Sequence, residues 1–268
     1  MKKGVYVVFK LLNISYKIKM NEELEYYSKL ADWDFNQINY KEEILIDWNF
    51  FNCIKRNTNE TSLCLDLGTG GGEKVLNEYP DVGMVIATDF SKNMINTAKE
   101  NAMKYPKKKV KFCKMNSLKM NFPDNLFNLV SARHTKIDAK QIYKTLAPNG
   151  VLVIEGIDKK DCWDLKEIFK RGQGYREKKS ISEKDYEDVV NAGFSKIEKV
   201  EILINEYYET KDDLMKLILK TPIIYDFGEI ENRCKLVDVD LFNEYVKRFK
   251  TNKGILLKRA LYGIVAKK

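Results

Sequence analysis

The stretch from Ser62 to Glu73 limits the fold more than any other. A short apolar run, Ser62-Leu63-Cys64-Leu65-Asp66-Leu67, opens directly into Gly68-Thr69-Gly70-Gly71-Gly72, and a helical pattern starts at Glu73. An apolar run this short, bounded by glycine, reads as a buried strand. The glycines let the backbone turn sharply and let a ligand approach the main chain. Strand, glycine loop and helix in succession are the first half of a βαβ unit, which requires a parallel partner strand and a right-handed crossover. The loop departs from the dinucleotide pattern G-x-G-x-x-G, because Glu73 stands where the third glycine belongs.

The alternation continues downstream. Met84 to Thr88 reads as a second strand, and Ser91 to Lys104 as a helix with Ser91 as N-cap and Met94, Ile95 and Ala98 on its inner side. Val110 to Cys113 and Phe127 to Ser131 read as further strands. Asp138 to Leu146 reads as a helix closed by Pro148-Asn149-Gly150, and Val151 to Glu155 as a fifth strand. This pattern predicts an α/β fold, a Rossmann-like doubly wound sheet of about seven strands, mostly parallel, with helices on both faces. Beyond it, Ser182 to Ala192 is helical, with Ser182 and Asp185 as an approximate capping box and Gly193 as its stop. Ile197 to Tyr207 alternates as a strand. Lys211 to Leu219 and Asp240 to Phe249 read as helices inserted near 209–250, and Ile255 to Ala266 as a last, antiparallel strand. Ahead of the sheet, 21–31 and 41–56 read as helices, the first aligning Leu24, Tyr27 and Leu30, the second Ile44, Trp48 and Phe51. Residues 20–60 are therefore expected to form an N-terminal helical cap, and 1–19 an extension outside the fold.

Charge and cysteine usage narrow the function classes. The net charge is +8, but the first 19 residues hold five lysines and no acid, and only 7 of the 47 basic residues are arginine. Arginine is the usual reader of bases and phosphates, so this balance argues little for nucleic acid. Lys107-Lys108-Lys109 and the cluster Lys247, Arg248, Lys250 and Lys253 read as solvated surface charge. Five cysteines without a C-x-x-C, and the single histidine His134, leave almost no material for a metal site and fit a reducing cytoplasm. No apolar run is long enough to span a membrane.

At the end of the second strand stands Asp89, 21 residues after Gly68. A carboxylate there can accept hydrogen bonds from both ribose hydroxyls of an adenosine. The bland alternative is a flavodoxin-like or NAD-binding turn with a capping acid.

Four segments in order carry a resemblance. They are Leu63 to Gly72, Val85 to Ser91, Asn116-Ser117 through Phe122 to Val130, and Leu146-Ala147-Pro148-Asn149-Gly150-Val151-Leu152, with Leu257 to Ala266 resembling a last strand. Over roughly 60–157 the chain resembles the class I S-adenosylmethionine-dependent methyltransferases, in the branch holding the ubiquinone and menaquinone biosynthesis enzymes and many small-molecule methyltransferases. The resemblance makes 61–268 the methyltransferase domain. It implies S-adenosylmethionine as cofactor and S-adenosylhomocysteine as product. It implies that Gly68, Thr69, Gly70 and Gly72 pass under the methionine part, that Asp66 anchors its amino group, and that Asp89 holds the ribose. Phe90 is then expected against the adenine. Asn116, usually aspartate in the family, would accept from the adenine amino group, and Ser117 would offer a backbone amide.

Methyl transfer from a sulfonium is an in-line displacement, so alignment and exclusion of water are the main tasks, and a base is needed only if the nucleophile must lose a proton. Open parallel sheets bind ligands beyond their strand C-termini. There the fourth strand ends in Ser131-Ala132-Arg133-His134-Thr135. His134 is the candidate catalytic base; otherwise it caps the next helix or lines the pocket. Arg133 is placed with the cofactor-side residues, holding an anionic group, or it forms a structural ion pair. Tyr27 and Trp33 are the candidate substrate-pocket residues, since aromatic faces suit a sulfonium; core packing is the alternative. Asp158, Asp161, Cys162, Trp163 and Arg171 to Tyr175 are placed to shape substrate choice. The expected partner is a small-molecule acceptor. An RNA acceptor, a non-catalytic S-adenosylmethionine-binding protein and a nicotinamide dehydrogenase are the alternatives, the last opposed by the missing third glycine.

Overall fold

Leu63–Leu67 is an interior strand of a nine-stranded mixed sheet in the computed structural model, which describes residues 38–46, 48–225 and 237–268. In chain order the strands are β1 (Tyr40–Ile44), β2 (Leu63–Leu67), β3 (Met84–Asp89), β4 (Val110–Lys114), β5 (Phe127–Arg133), β6 (Leu146–Ile157), β7 (Ser195–Tyr208), β8 (Lys250–Thr251) and β9 (Gly254–Lys267). The helices are α1 (Phe50–Arg56), α2 (Glu73–Glu78), α3 (Lys92–Ala102), α4 (Ala139–Thr145), α5 (Trp163–Phe169), α6 (Ile181–Asn191), α7 (Lys211–Lys220) and α8 (Val239–Phe249). The strand order is β1-β7-β9-β6-β5-β2-β3-β4, with β8 paired to β9. The pairs β4–β3, β3–β2, β2–β5 and β5–β6 are parallel. β9 joins antiparallel to both β6 and β7, and β1 joins antiparallel to β7.

This is the doubly wound sheet expected, with the antiparallel part larger than one strand. Strand order reverses between β2 and β5, which opens a crevice beyond their C-terminal ends. One face of the sheet is covered by Phe50, Cys53 and Ile54 of α1, Val75 and Leu76 of α2, and Ile95 and Ala98 of α3. The other is covered by Ala139 and Ile142 of α4 and Val189 of α6. A third cluster packs α5, α7 and α8 against Tyr208 and Leu257. A fully buried leucine or isoleucine in such a cluster stabilises by about 1.5–3 kcal/mol, so these clusters hold the helices in place.

Several expectations need correction. The stretch 41–56 is not one helix. Its first part is β1, whose partner β7 lies far along the chain, with Tyr40 stacked on Tyr208 at 5.2 Å and Tyr207 Oη donating to Glu43 at 2.7 Å. Cross-strand packing overrides local helix propensity here. Ile44 is exposed, and Trp48 precedes α1, lying where a Cβ on Gly263 would come within 2.5 Å of its ring. α1 starts instead at Phe50, capped by Asn49, whose side chain accepts from the Asn52 amide. Pro148-Asn149-Gly150 is not a loop but the irregular start of β6, with Asn149 at φ +64°. Proline is tolerated at such an irregularity because it need not donate to the ladder. The capping box of α6 is Ser180 with Glu183, not Ser182 with Asp185. α5 has no counterpart in the expected elements. The expected helix 21–31 and the extension 1–19 lie outside the described residues. Among the described residues, no helix is long and apolar enough to cross a membrane.

Candidate active site

The glycine loop is bent back onto the neighbouring strand. Gly68 and Thr69 donate their amides to the Thr88 carbonyl at 2.8 and 2.9 Å. Gly68, Gly70 and Gly72 all have positive φ, at +74°, +58° and +80°. A Cβ on Gly68 would lie 2.6 Å from Thr135 Cβ, and one on Gly72 would lie 2.8 Å from the Phe112 ring. Gly68 therefore lets the segment after β5 rest on the loop, and Gly72 lets α2 settle against β4. Asn101 Nδ2 donates to the Gly71 carbonyl and to Glu73 Oε1, both at 3.0 Å, and so ties the loop to α3.

Two carboxylates flank this loop. Asp66 is buried, and its Oδ1 accepts from Ser131 Oγ at 2.7 Å; Ser131 in turn pairs with Tyr79 Oη at 3.0 Å. Burial pushes the Asp66 pKa up to about 6, held back by the Ser131 and Thr69 hydroxyls. Thr69 Oγ1 is the one buried side-chain oxygen or nitrogen among the described residues without a well-formed hydrogen bond. Asp89 ends β3. Its Oδ1 accepts from the Ser91 amide at 2.8 Å and its Oδ2 from the Gly70 amide at 3.0 Å. Burial raises its pKa, and the two amides oppose that rise.

The remaining cofactor-side candidates sit on the adjacent rim. Phe90 follows Asp89 and is half-buried. Asn116 is exposed, and its Oδ1 accepts from the Leu118 amide at 2.9 Å, so one of its carbonyl lone pairs closes its own turn. Ser117 Oγ donates to the Lys136 carbonyl at 2.6 Å, which joins the segment after β4 to the segment after β5.

Arg133 and His134 share an acceptor. Glu155 Oε1 receives Arg133 Nε at 2.7 Å and lies 3.2 Å from His134 Nε2. Arg133 therefore makes the structural ion pair, and no bond that would aim it at a cofactor. Burial pushes the Glu155 pKa up, but the His134 hydrogen bond and the Arg133 charge outweigh this and hold it low. His134 keeps about 30% of its side chain exposed. Desolvation lowers its pKa, against the upward pull of the Glu155 hydrogen bond. Its backbone is left-handed, φ +51°.

Beside these lies a buried ionic cluster. Arg259 of β9 donates through Nε to Asp161 Oδ1 at 2.8 Å and through Nη1 to Glu206 Oε1 at 2.9 Å. Tyr208 Oη donates to Glu206 Oε2 at 2.5 Å. Lys166 Nζ is held by the carbonyls of Lys159 and Gln173. Cys162 is buried, and burial pushes its thiol pKa up, which disfavours a thiolate nucleophile. The four described cysteines are free.

The fold thus brings Asp66, Gly68, Thr69, Gly70, Gly72, Asp89, Phe90, Asn116, Ser117, Arg133 and His134 to one rim of the sheet. Tyr27 and Trp33 lie outside the described residues. Sequence reasoning missed Glu155 as a site residue, although an acid ending the strand beside Arg133 was a readable signal. It also missed Ser131 and Tyr79 behind Asp66, for which no local signal exists. A buried carboxylate beside a hydroxyl and a glycine loop fits a ligand that carries a cation and hydrogen-bonding groups. The donor set suits S-adenosylmethionine on those grounds.

Comparison with known proteins agrees with this geometry. The family described as "Methyltransferase domain" matches residues 59–218. The 2-phytyl-1,4-naphtoquinone methyltransferase of Nostoc sp. is 28% identical over 140 residues, covering 48% of this chain and 58% of that protein. The enzyme of the same name from Trichormus variabilis is 31% identical over 107 residues, covering 38% of this chain and 44% of its own length. The chain thus spans about half the length of the curated relatives it matches. Among solved structures, the YcgJ protein of Bacillus subtilis aligns with a TM-score of 0.55 at 14% identity, covering 82% of this chain and 97% of that one. That likeness speaks to the fold.

Proposed function

The chain belongs to the class I S-adenosylmethionine-dependent methyltransferases, and from that premise we propose that it methylates a small aromatic acceptor of the reduced-quinone class. The observation that carries the cofactor part of this proposal is Asp89, pinned between the Gly70 and Ser91 amides at the crevice where strand order reverses. Each Asp89 oxygen accepts one amide and retains a lone pair for a ribose hydroxyl.

In this reading Asp66 takes the ammonium of the methionine part, Thr69 offers its hydroxyl beside it, and Phe90 packs on the adenine. Asn116 and Ser117 face the adenine edge. When bound, S-adenosylmethionine would supply a sulfonium methyl group, which the acceptor's electron pair would take by in-line displacement, the carbon–sulfur pair passing to sulfur. His134 takes the proton of an acceptor hydroxyl. Desolvation lowers its pKa, which favours the neutral imidazole that a base requires. Tyr27 and Trp33 remain the proposed acceptor-side aromatics. The quinone class comes from the curated relatives, whose names specify a naphthoquinone.

Label transfer tests this. The protein is incubated with methyl-labelled S-adenosylmethionine and 1,4-naphthoquinol, and separately with a cell extract split into RNA, protein and metabolite fractions. Label in the quinol and in the metabolite fraction, lost in Asp89→Ala, is the expected result. Label confined to RNA and removed by ribonuclease overturns the acceptor class.

A further inference from the structure

We propose that Glu155 is the positioning residue of His134, fixing the imidazole so that Nδ1 is the nitrogen that accepts the proton. This rests on His134 being the base. Three contacts carry it. The strand pairing of β5 with β6 sets Arg133 opposite Glu155. The next residue, His134, then leaves the strand in the left-handed region and returns its backbone amide to the Glu155 carbonyl at 2.8 Å. The same Glu155 meets the imidazole through Oε1, 3.2 Å from Nε2. One residue thus grips both the main chain and the ring of the histidine that follows the neighbouring strand.

A carboxylate only accepts, so the contact at Nε2 requires a hydrogen on that nitrogen. In the neutral ring the lone pair is then on Nδ1. Left-handed backbone at a non-glycine residue is uncommon and clusters at functional sites, which fits a residue held for its chemistry. During transfer the acceptor O–H bond breaks, its electron pair stays with the acceptor, and the proton moves to Nδ1. The resulting imidazolium faces Glu155 through Nε2–H and later releases its proton to solvent. The charged groups that act on the ring are Glu155 of β6, Arg133 of β5 and Arg259 of β9. The two arginines disfavour the imidazolium, and Glu155 is the group that favours it.

Because His134 is the single histidine of the chain, nitrogen NMR of histidine-labelled, ligand-free protein reads its tautomer and pKa without assignment. The expected wild-type state carries hydrogen on Nε2. Glu155→Gln lowers the His134 pKa by about one unit, as loss of a neighbouring opposite charge does. Glu155→Met gives mixed tautomers, whereas Arg133→Met keeps the Nε2–H form and raises the pKa. With 1,4-naphthoquinol as probe, Glu155→Gln moves the acid limb of kcat to lower pH and leaves KM for S-adenosylmethionine within twofold. If Glu155→Met does not fold, Glu155→Gln decides alone. An Nδ1–H tautomer in the wild type, or an unchanged pKa in Glu155→Gln, overturns the proposal and leaves Glu155 as the anchor of Arg133. His134→Gln tests the underlying premise separately: undiminished methyl transfer in that variant removes the base, whatever the tautomer shows.

Discussion

Asp89 Oδ2 accepts the Gly70 amide at 3.0 Å, so the carboxylate that ends β3 is bound directly to the loop that follows β2. The acid and the glycine loop form one object, and disturbing either disturbs both. Replacing Asp89 with Ala removes the anchor and the proposed ribose acceptor together. S-adenosylhomocysteine binding is expected to weaken by about 1–3 kcal/mol, the usual cost of losing charged hydrogen bonds. Asp89→Asn keeps one acceptor oxygen and loses less. Titration calorimetry on the two variants checks this, and unchanged affinity in Asp89→Ala would remove Asp89 from the cofactor site.

Asp66 couples stability to pH in the opposite sense to an ion-paired acid. Its folded pKa of about 6 stands above the ordinary 3.8 because burial disfavours the charge. Between those two values the unfolded chain has released a proton that the folded protein keeps. Stability therefore falls as pH rises through this window, and above pH 6 the accumulated cost is about 3 kcal/mol. Asp66→Asn is expected to stabilise the ligand-free protein by about 1–3 kcal/mol at pH 7 and by much less at pH 4. It should also weaken S-adenosylmethionine binding, since the ammonium loses its partner. Urea denaturation at both pH values measures the first effect. A variant no more stable than wild type at pH 7 would show that Asp66 is not strained by burial.

The parts of the fold that were legible in the sequence are those decided within a few residues. Ser91 caps α3 because its own hydroxyl reaches the Met94 amide, and Gly68, Gly70 and Gly72 announce positive φ by being glycine. Asp89 was legible because a strand end followed by a capped helix fixes where its side chain emerges. What was not legible depends on partners remote in sequence. Residues 40–44 carry no strand pattern of their own and become β1 only because Tyr207 and Tyr208 meet them across β7. Ser180 and Ser182 compete for the same cap, and the winner is decided by Glu183 reaching back to the Ser180 amide. The sharing of Glu155 between Arg133 and His134, and the grouping of Asp161, Glu206 and Arg259, each join separate strands or loops, which no local pattern records.

Gly68 is expected to tolerate no side chain. Its φ of +74° disfavours any L-residue, and a Cβ there would lie 2.6 Å from Thr135 Cβ. Left-handed backbone costs about 1–2 kcal/mol for alanine, and the overlap adds about 1–3 kcal/mol. Gly68→Ala should therefore destabilise by roughly 2–5 kcal/mol. Adding Thr135→Gly relieves the overlap but not the backbone strain, so the double variant should recover only part of the loss. Thermal unfolding of both variants tests this; full recovery would mean that the backbone conformation carries no cost.

Arg259 is expected to be the most costly single charge to remove. It bridges Asp161 and Glu206, both nearly inaccessible to solvent, and the Ala260 amide adds a further donor to Asp161. Burial pushes the Asp161 pKa up, but the Arg259 charge and hydrogen bonds outweigh this and hold it below the ordinary range. Removing one partner of such a pair leaves the others charged and unpaired, which costs about 3–5 kcal/mol. Arg259→Met keeps the bulk of the side chain and loses only the charge and donors. With its folded pKa depressed, Asp161 stabilises wild type above pH 3.8, and that contribution disappears as pH falls through the folded pKa. Burial raises the Glu206 pKa even with Arg259 present, so Glu206 gains stability on acidification in both proteins; in Arg259→Met Asp161 joins it, so the two proteins should converge as pH falls from 7 toward 4. Denaturant midpoints across that range measure the gap. A gap that stays constant with pH would show that Arg259 acts through packing rather than through its charge.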